Sequence, residues 1–142
     1  MAVSKVFELE RAVAPEEIDS LGHVNNQVYL DWLMDAATRH SAAIGWGLPR
    51  MIAMGEGWVV RRHEIEYLAQ VPPGERVRIR TWVETAERAS SERHYELYRL
   101  SDNRLACRGK TLWVWISYRT GRPGRIPQAI IDDFAGWEPG GN

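Results

Sequence analysis

Asp19, Gly22, His23, Asn25 and Asn26 are the residues of this chain whose types and spacing could do chemistry. They sit just ahead of a run with helical spacing that begins at Tyr29. A carboxylate in front of a helix faces unpaired backbone N–H groups and the positive end of the macrodipole. Gly22 lets the backbone turn tightly or adopt a positive φ. The segment therefore sets a base or nucleophile beside an anion site. Acyl transfer needs both, one group to attack or to activate water and donors for the developing oxyanion. Spacing alone also fits a plainer reading, in which Asp19 caps a turn and Asn25 or Asn26 caps the helix. His23 is a candidate acid or base, and equally a turn histidine that needs one partner.

Other candidates lie farther along. Tyr29, one turn into the helix, either lines a pocket or sits in the core with its hydroxyl satisfied. Val59, Arg61, His63 and Ile65 alternate along a strand and are expected on one face, which makes Val59, Arg61 and His63 candidate pocket residues. Arg76, Arg78 and Arg80 alternate with Val77, Ile79 and Thr81. Such a stripe forms a solvated outer face or, since Arg suits phosphate geometry, a seat for the phosphates of coenzyme A or of a phosphopantetheine arm.

The elements that must position these groups read as strand, long helix, four strands, short helix. Lys5 to Val13 alternates as a first strand, and Ala14-Pro15-Glu16-Glu17 ends it. Tyr29, Leu33, Ala36, Ala37, His40 and Ile44 recur at helical spacing over about twenty residues, until Gly45, Gly47 and Pro49 stop the helix. A glycine-rich loop at Gly55 and Gly57 leads into strands at Trp58–Ala69, around Val77–Val83, at Arg93–Leu100 and at Leu105–Tyr118. Pro72-Pro73-Gly74 and Asp102-Asn103 mark turns. The last strand is apolar on both faces from Leu112 to Ile116, as suits the middle of a sheet or a covered face. Pro127 opens a short final helix ending near Phe134. One sheet face takes the long helix, and the other face or an edge is free for a second subunit.

Bulk properties narrow the classes. A chain of 142 residues with 44% hydrophobic and 26% charged residues suits one globular domain, taken as residues 1–142. A formal net charge of -1 gives no field that would gather nucleic acid or an anionic membrane. The lone Cys107 excludes an internal disulfide, no paired Cys/His spacing suggests zinc, and no metal or other cofactor is expected. The N-terminus lacks the apolar stretch of a signal peptide and no apolar run is long enough to span a bilayer, so a cytoplasmic location is expected. The seven tryptophans belong to an aromatic-rich core or to a subunit contact.

The stretch Asp19-x-x-Gly22-His23-Val24-Asn25-Asn26-x-x-Tyr29 resembles the signature of the 4-hydroxybenzoyl-CoA thioesterase-like branch of the hot-dog superfamily. Asp31-Trp32, Gly74-Glu75 and the tail Gly121 to Pro127 extend the likeness over nearly the whole chain. The resemblance implies an α+β fold in which a five-stranded antiparallel sheet wraps a long helix. It implies a homodimer, possible further pairing to a tetramer, and an active site at the dimer interface. Asp19 matches the family's catalytic carboxylate, as nucleophile or as general base, and the Asn26 N–H matches the donor that polarises the thioester carbonyl. The strand after the helix is expected to approach Asp19 of a second copy. Many relatives carry Asp-x-Asp before the glycine; here the first position is Glu17, which is expected to matter less than Asp19. Relatives acting on aromatic thioesters often lack the His-Val-Asn-Asn stretch, so this chain looks more like general or fatty acyl members. The implied activity is acyl-CoA hydrolysis, with coenzyme A as part of the substrate. An acyl-carrier-protein thioesterase and a non-catalytic acyl-binding protein are the alternatives.

Overall fold

A computed structural model describes residues 1–140. Its elements are β1 (Phe7–Ala12), a 3-10 turn (Pro15–Glu17), α1 (Asn26–Ala43), α2 (Leu48–Met54), β2 (Glu56–Tyr67), β3 (Arg76–Val83), β4 (Ser90–Arg99), β5 (Arg104–Ser117) and α3 (Gln128–Gly136). The strands form one five-stranded sheet in the order β1-β3-β4-β5-β2, antiparallel throughout. This is the expected α+β hot-dog arrangement, with β1 and β2 as its edges.

Helix α1 lies across the sheet because its apolar residues recur every three or four positions. Tyr29, Trp32, Leu33, Ala36, Ala37 and His40 are all buried. They pack on Val77, Ile79, Tyr95 and Leu97, which alternate inward from β3 and β4. A second cluster closes the far end of the helix, where Trp46 and Met51 meet Trp115, Ile130 and Phe134. Asn25 is the N-cap, its side chain accepting from the Gln27 N–H at 2.9 Å. At the β4–β5 hairpin, Asn103 takes a left-handed φ of 55°, as the Asp-Asn turn anticipates.

Three expectations change. The segment read as a loop after Pro49 contains α2, whose start is marked by the Pro49 taken for a stop, since proline is well tolerated in a first helical turn. Gly57 belongs to β2, where a side chain is excluded because a Cβ would lie 2.0 Å from the Tyr118 hydroxyl. The register of β2 also slips between Val60 and Arg62. Val59 lies opposite Val114 and His63 opposite Thr111, residues of opposite parity on β5, so Val59 and His63 do not share a face. In addition, Pro127 precedes α3 as its N-cap rather than its first residue.

The tryptophans serve the protein's own packing. Trp32, Trp46 and Trp115 are buried. Four of the seven donate their indole N–H to a carboxylate, Trp32 to Glu17, Trp46 to Asp133, Trp82 to Glu84 and Trp115 to Glu56, at 2.7–2.8 Å. These four rings thus have their polar atoms satisfied, whereas the Trp113 indole nitrogen is buried without a partner among the described residues.

His40 is fully buried among Phe7, Phe134 and Trp137, and its Nδ1 lies 3.0 Å from Arg93. Arg can only donate, so Nδ1 accepts and the ring is neutral. Burial, reinforced by the Arg93 charge, pulls its pKa down to about 3. The unfolded chain, with a histidine near 6.5, binds the proton more readily. This contribution to stability is therefore complete above about pH 6.5 and is lost as the pH falls toward 3. Denaturant titrations should show unfolding free energy falling on the order of 1–3 kcal/mol between pH 7 and pH 4 from this group. His40→Asn should flatten that slope; an unchanged slope would assign the proton uptake elsewhere.

Candidate active site

The turn before α1 is closed by its own backbone. The Asp19 N–H donates to the His23 carbonyl at 2.8 Å, and the Gly22 N–H returns to the Asp19 carbonyl at 3.1 Å. Gly22 takes a φ of 83°, with nothing near the position of a Cβ, so the demand there is conformational. An isolated bridge between Ile18 and Val24 ties the ends of the loop together. The Val24 N–H donates to Val71, which docks the loop on the segment before β3.

Asp19 sits at the rim of a cleft of about 390 Å³, half-buried, with one carboxylate oxygen accepting from the Leu21 N–H at 2.9 Å. Its other oxygen has no partner among the described residues. His23, Asn26, Tyr29, Tyr67 and Leu68 share the lining. At the helix start, the Asn25 side chain takes the Gln27 N–H, and the Asn25 carbonyl takes that of Val28 at 2.9 Å. The Asn26 N–H has no acceptor among the described residues and belongs to the same cleft. The Tyr67 hydroxyl donates to the Asn26 carbonyl at 3.2 Å, holding the next peptide, Asn26–Gln27, from the edge strand.

The structure thus brings together Asp19, Gly22, His23, Asn25, Asn26 and Tyr29. The His23 ring makes no hydrogen bond among the described residues. Tyr29 is both core and lining: it is buried, stacks edge-on with Trp32 and Tyr67, and burial raises the pKa of its phenol. Val59, Arg61 and His63 line neither this cleft nor the apolar cavity described below. Val59 and Arg61 are exposed on β2, whereas His63 is half-buried and bonded to the Thr111 hydroxyl at 2.8 Å, with its pKa lowered by burial.

Arg78 and Arg80 lie on the outer sheet face and pair across strands, Arg78 with Glu10 and Arg80 with Glu8 and Glu96. Arg76 is exposed at the start of β3. The geometry is that of a solvated stripe whose charge is largely matched by neighbouring carboxylates. Cys107 is fully buried, and burial pushes its thiol up to about 12, so it is no accessible nucleophile. Among the described residues, no three His, Cys, Asp or Glu side chains gather as a metal site.

Glu17 does more than its sequence position suggested. Its largely buried carboxylate accepts from Arg11 at 2.9 Å and 3.0 Å, from the Ala14 N–H at 2.8 Å and from the Trp32 indole at 2.8 Å. Its backbone carbonyl accepts the Asn25 N–H at 3.0 Å. One residue therefore fastens β1, the 3-10 turn and α1 together two positions before Asp19. The sequence signal was a carboxylate fifteen residues before an inward Trp, too long-range to read locally.

A second, apolar cavity of about 230 Å³ lies toward the other end of α1, walled by Trp46, Met51, Trp58, Trp113 and Phe134, with Arg93 in its lining. Nothing in the residues next to Arg93 marks it as buried. Its phase with Tyr95 and Leu97 on β4 was the available signal.

Residues 13–134 match the model of the thioesterase-like superfamily. The chain belongs to that family. It is 23% identical to a chloroplastic acyl-acyl carrier protein thioesterase of Arabidopsis thaliana over 93% of this chain and 69% of the relative. Among solved structures, the 1,4-dihydroxy-2-naphthoyl-CoA thioesterase of Synechocystis superposes with a TM-score of 0.86 at 20% identity, covering 93% of this chain and 97% of that one. An acyl-ACP thioesterase from Bacteroides thetaiotaomicron gives 0.82 at 22% identity over 94% of this chain and 54% of its own length. At these identities the likeness concerns the fold, and two of the three relatives are named for acyl-carrier-protein thioesters and one for a CoA thioester.

Replacing Glu17 tests its role as a tie. Glu17→Ala removes the acceptor of three donors and should destabilise the protein by about 2–4 kcal/mol, whereas Glu17→Gln, which can still accept from Trp32, should lose less. Chemical denaturation followed by tryptophan fluorescence measures both. A loss within experimental error for the Ala variant would show that the loop holds without it.

Proposed function

We propose that this thioesterase-family chain hydrolyses acyl-CoA thioesters at the Asp19 cleft. The observation that carries the reading is a carboxylate with an unengaged oxygen beside a helix-first-turn N–H that lacks an acceptor. The Asn26 N–H receives the thioester oxygen as charge builds on it. Asp19 either attacks the carbonyl carbon, expelling the coenzyme A thiolate and leaving an anhydride that water opens, or takes a proton from the water that attacks directly. Both routes end in a free acid and a thiol. The reaction needs no metal or other cofactor. Gly22 and Asn25 hold the turn and the cap, and Tyr67 steadies the helix start through the peptide that follows Asn26.

Homodimer formation through β2 completes this proposal. β2 is a twelve-residue edge strand whose outer half is exposed, with Val60, Tyr67 and Leu68 uncovered. A long uncapped edge offers unpaired backbone groups to another strand. Antiparallel pairing about a two-fold sets the Tyr67 end of one copy against the Trp58 end of the other, so the Asp19 cleft of one faces the apolar cavity of its neighbour.

Thiol release measured over a panel of acyl-CoAs should fall by at least about 100-fold in Asp19→Asn, the scale of a lost general base. Unchanged turnover in that variant would remove Asp19 from the mechanism. The matching acyl-carrier-protein esters should turn over no faster than the CoA esters; a clear preference for the carrier protein would transfer the assignment to that substrate. Light scattering should give twice the 16.3 kDa chain mass, and a fully active monomer would sink the shared site.

A further inference from the structure

Arg93 is buried, at 4% exposure, and no carboxylate lies within ion-pairing distance of it among the described residues. One terminal nitrogen donates to the Thr81 hydroxyl at 3.1 Å and to His40 Nδ1 at 3.0 Å. The other terminal nitrogen and Nε have no partner among the described residues. The guanidinium carbon also lies over the Phe134 ring, 5.6 Å from its centroid. His40, held neutral as an acceptor, adds no charge. A lone buried guanidinium is unfavourable unless something pairs with it. It borders the apolar cavity, whose large walls include tryptophan, methionine and phenylalanine side chains, with Thr38, Ser41 and Ser91 among the smaller residues.

We propose that the cavity binds the far end of the acyl group, and that Arg93 selects acyl chains ending in a carboxylate. The proposal rests on the hydrolase reading and on the β2 pairing, which together aim the acyl group from Asp19 of one copy into the cavity of the other. Within one chain the ends of β2 that border the two clefts are about 30 Å apart, too far for one short acyl group. The apolar walls suit methylenes, and the guanidinium supplies two free donors in the fork geometry that carboxylates match. A volume of about 230 Å³ holds roughly eight waters, so a chain of about six carbons fills it.

The test compares adipyl-CoA with hexanoyl-CoA, equal in length and different only in the terminal carboxylate. Wild type should show a kcat/KM about 10- to 100-fold higher for adipyl-CoA, the scale of hydrogen bonds to a charged group. Arg93→Met, which keeps bulk, should abolish that preference, bringing the ratio of the two kcat/KM values to about one. Calorimetry on Asp19→Asn should show the same preference in binding, lost when Arg93→Met is added. If the Arg93→Met variant does not fold, the wild-type ratio decides. Equal handling of the two esters by wild type, or an equal fall of both in Arg93→Met, would overturn the selectivity and leave the hydrolase reading intact. Absence of turnover with any ester would fail the hydrolase reading instead, and the calorimetric preference would still judge Arg93.

Discussion

Helix α1 reaches the sheet through a stripe that narrows to alanine at its centre. Ala36 is fully buried and Ala37 nearly so, which brings the helix backbone close to β3. On either side the stripe widens into large rings, Tyr29 and Trp32 toward the start and His40 toward the end. The close approach in the middle fixes the helix, and the large groups at its ends determine what the rest of the chain can build there. At the start they leave a loop that must be tied down; at the end they leave space that other aromatics only partly fill. Both clefts follow from this one packing constraint.

Large rings with polar atoms make such ends costly to bury, and the chain meets the cost in two ways. Indole N–H groups find carboxylates, and the Glu17–Trp32 bond is the case with consequences for chemistry, because the same carboxylate also grips Arg11 and the Ala14 N–H. The loop carrying Asp19 is thereby fixed to both the sheet and the helix, so the carboxylate need not be held by its own bonds. At the other end, Arg93 finds a hydroxyl and an imidazole in place of a carboxylate. The two ends treat charge oppositely: the loop end over-satisfies an anion, and the cavity end leaves a cation with donors to offer.

Much of this was legible in the residues. The alternation in β3, the three-and-four spacing of α1 and the Asp-Asn turn are local patterns, and each produced the element it predicts. Asp19, Gly22 and the Asn pair were legible as a cluster because they are adjacent in sequence. What failed to show was either non-local or a break in period. The slip between Val60 and Arg62 changes which residues of β2 share a face, and no residue there announces a bulge. Helix α2 is too short for periodicity to reveal, and its proline was read as an end. Glu17 and Arg93 depend on partners fifteen residues and more away, so their importance is a property of the fold.

The arrangement of the two clefts makes the proposed shared site an economical solution for this chain. Each cleft alone is incomplete. The Asp19 cleft has a reactive group and an anion donor but opens broadly to solvent along β2, whereas the apolar cavity has walls and a cation but no group able to attack a thioester. They lie at opposite ends of the same edge strand, on the same side of the sheet, and antiparallel pairing about a two-fold is the operation that exchanges the ends of a strand while keeping its face. The proposed pairing would also satisfy the exposed backbone of β2, the longer of the two sheet edges. The proposed pairing would thus remove the liability of that edge and join the Asp19 cleft to a pocket, and neither role requires a residue that the other would displace.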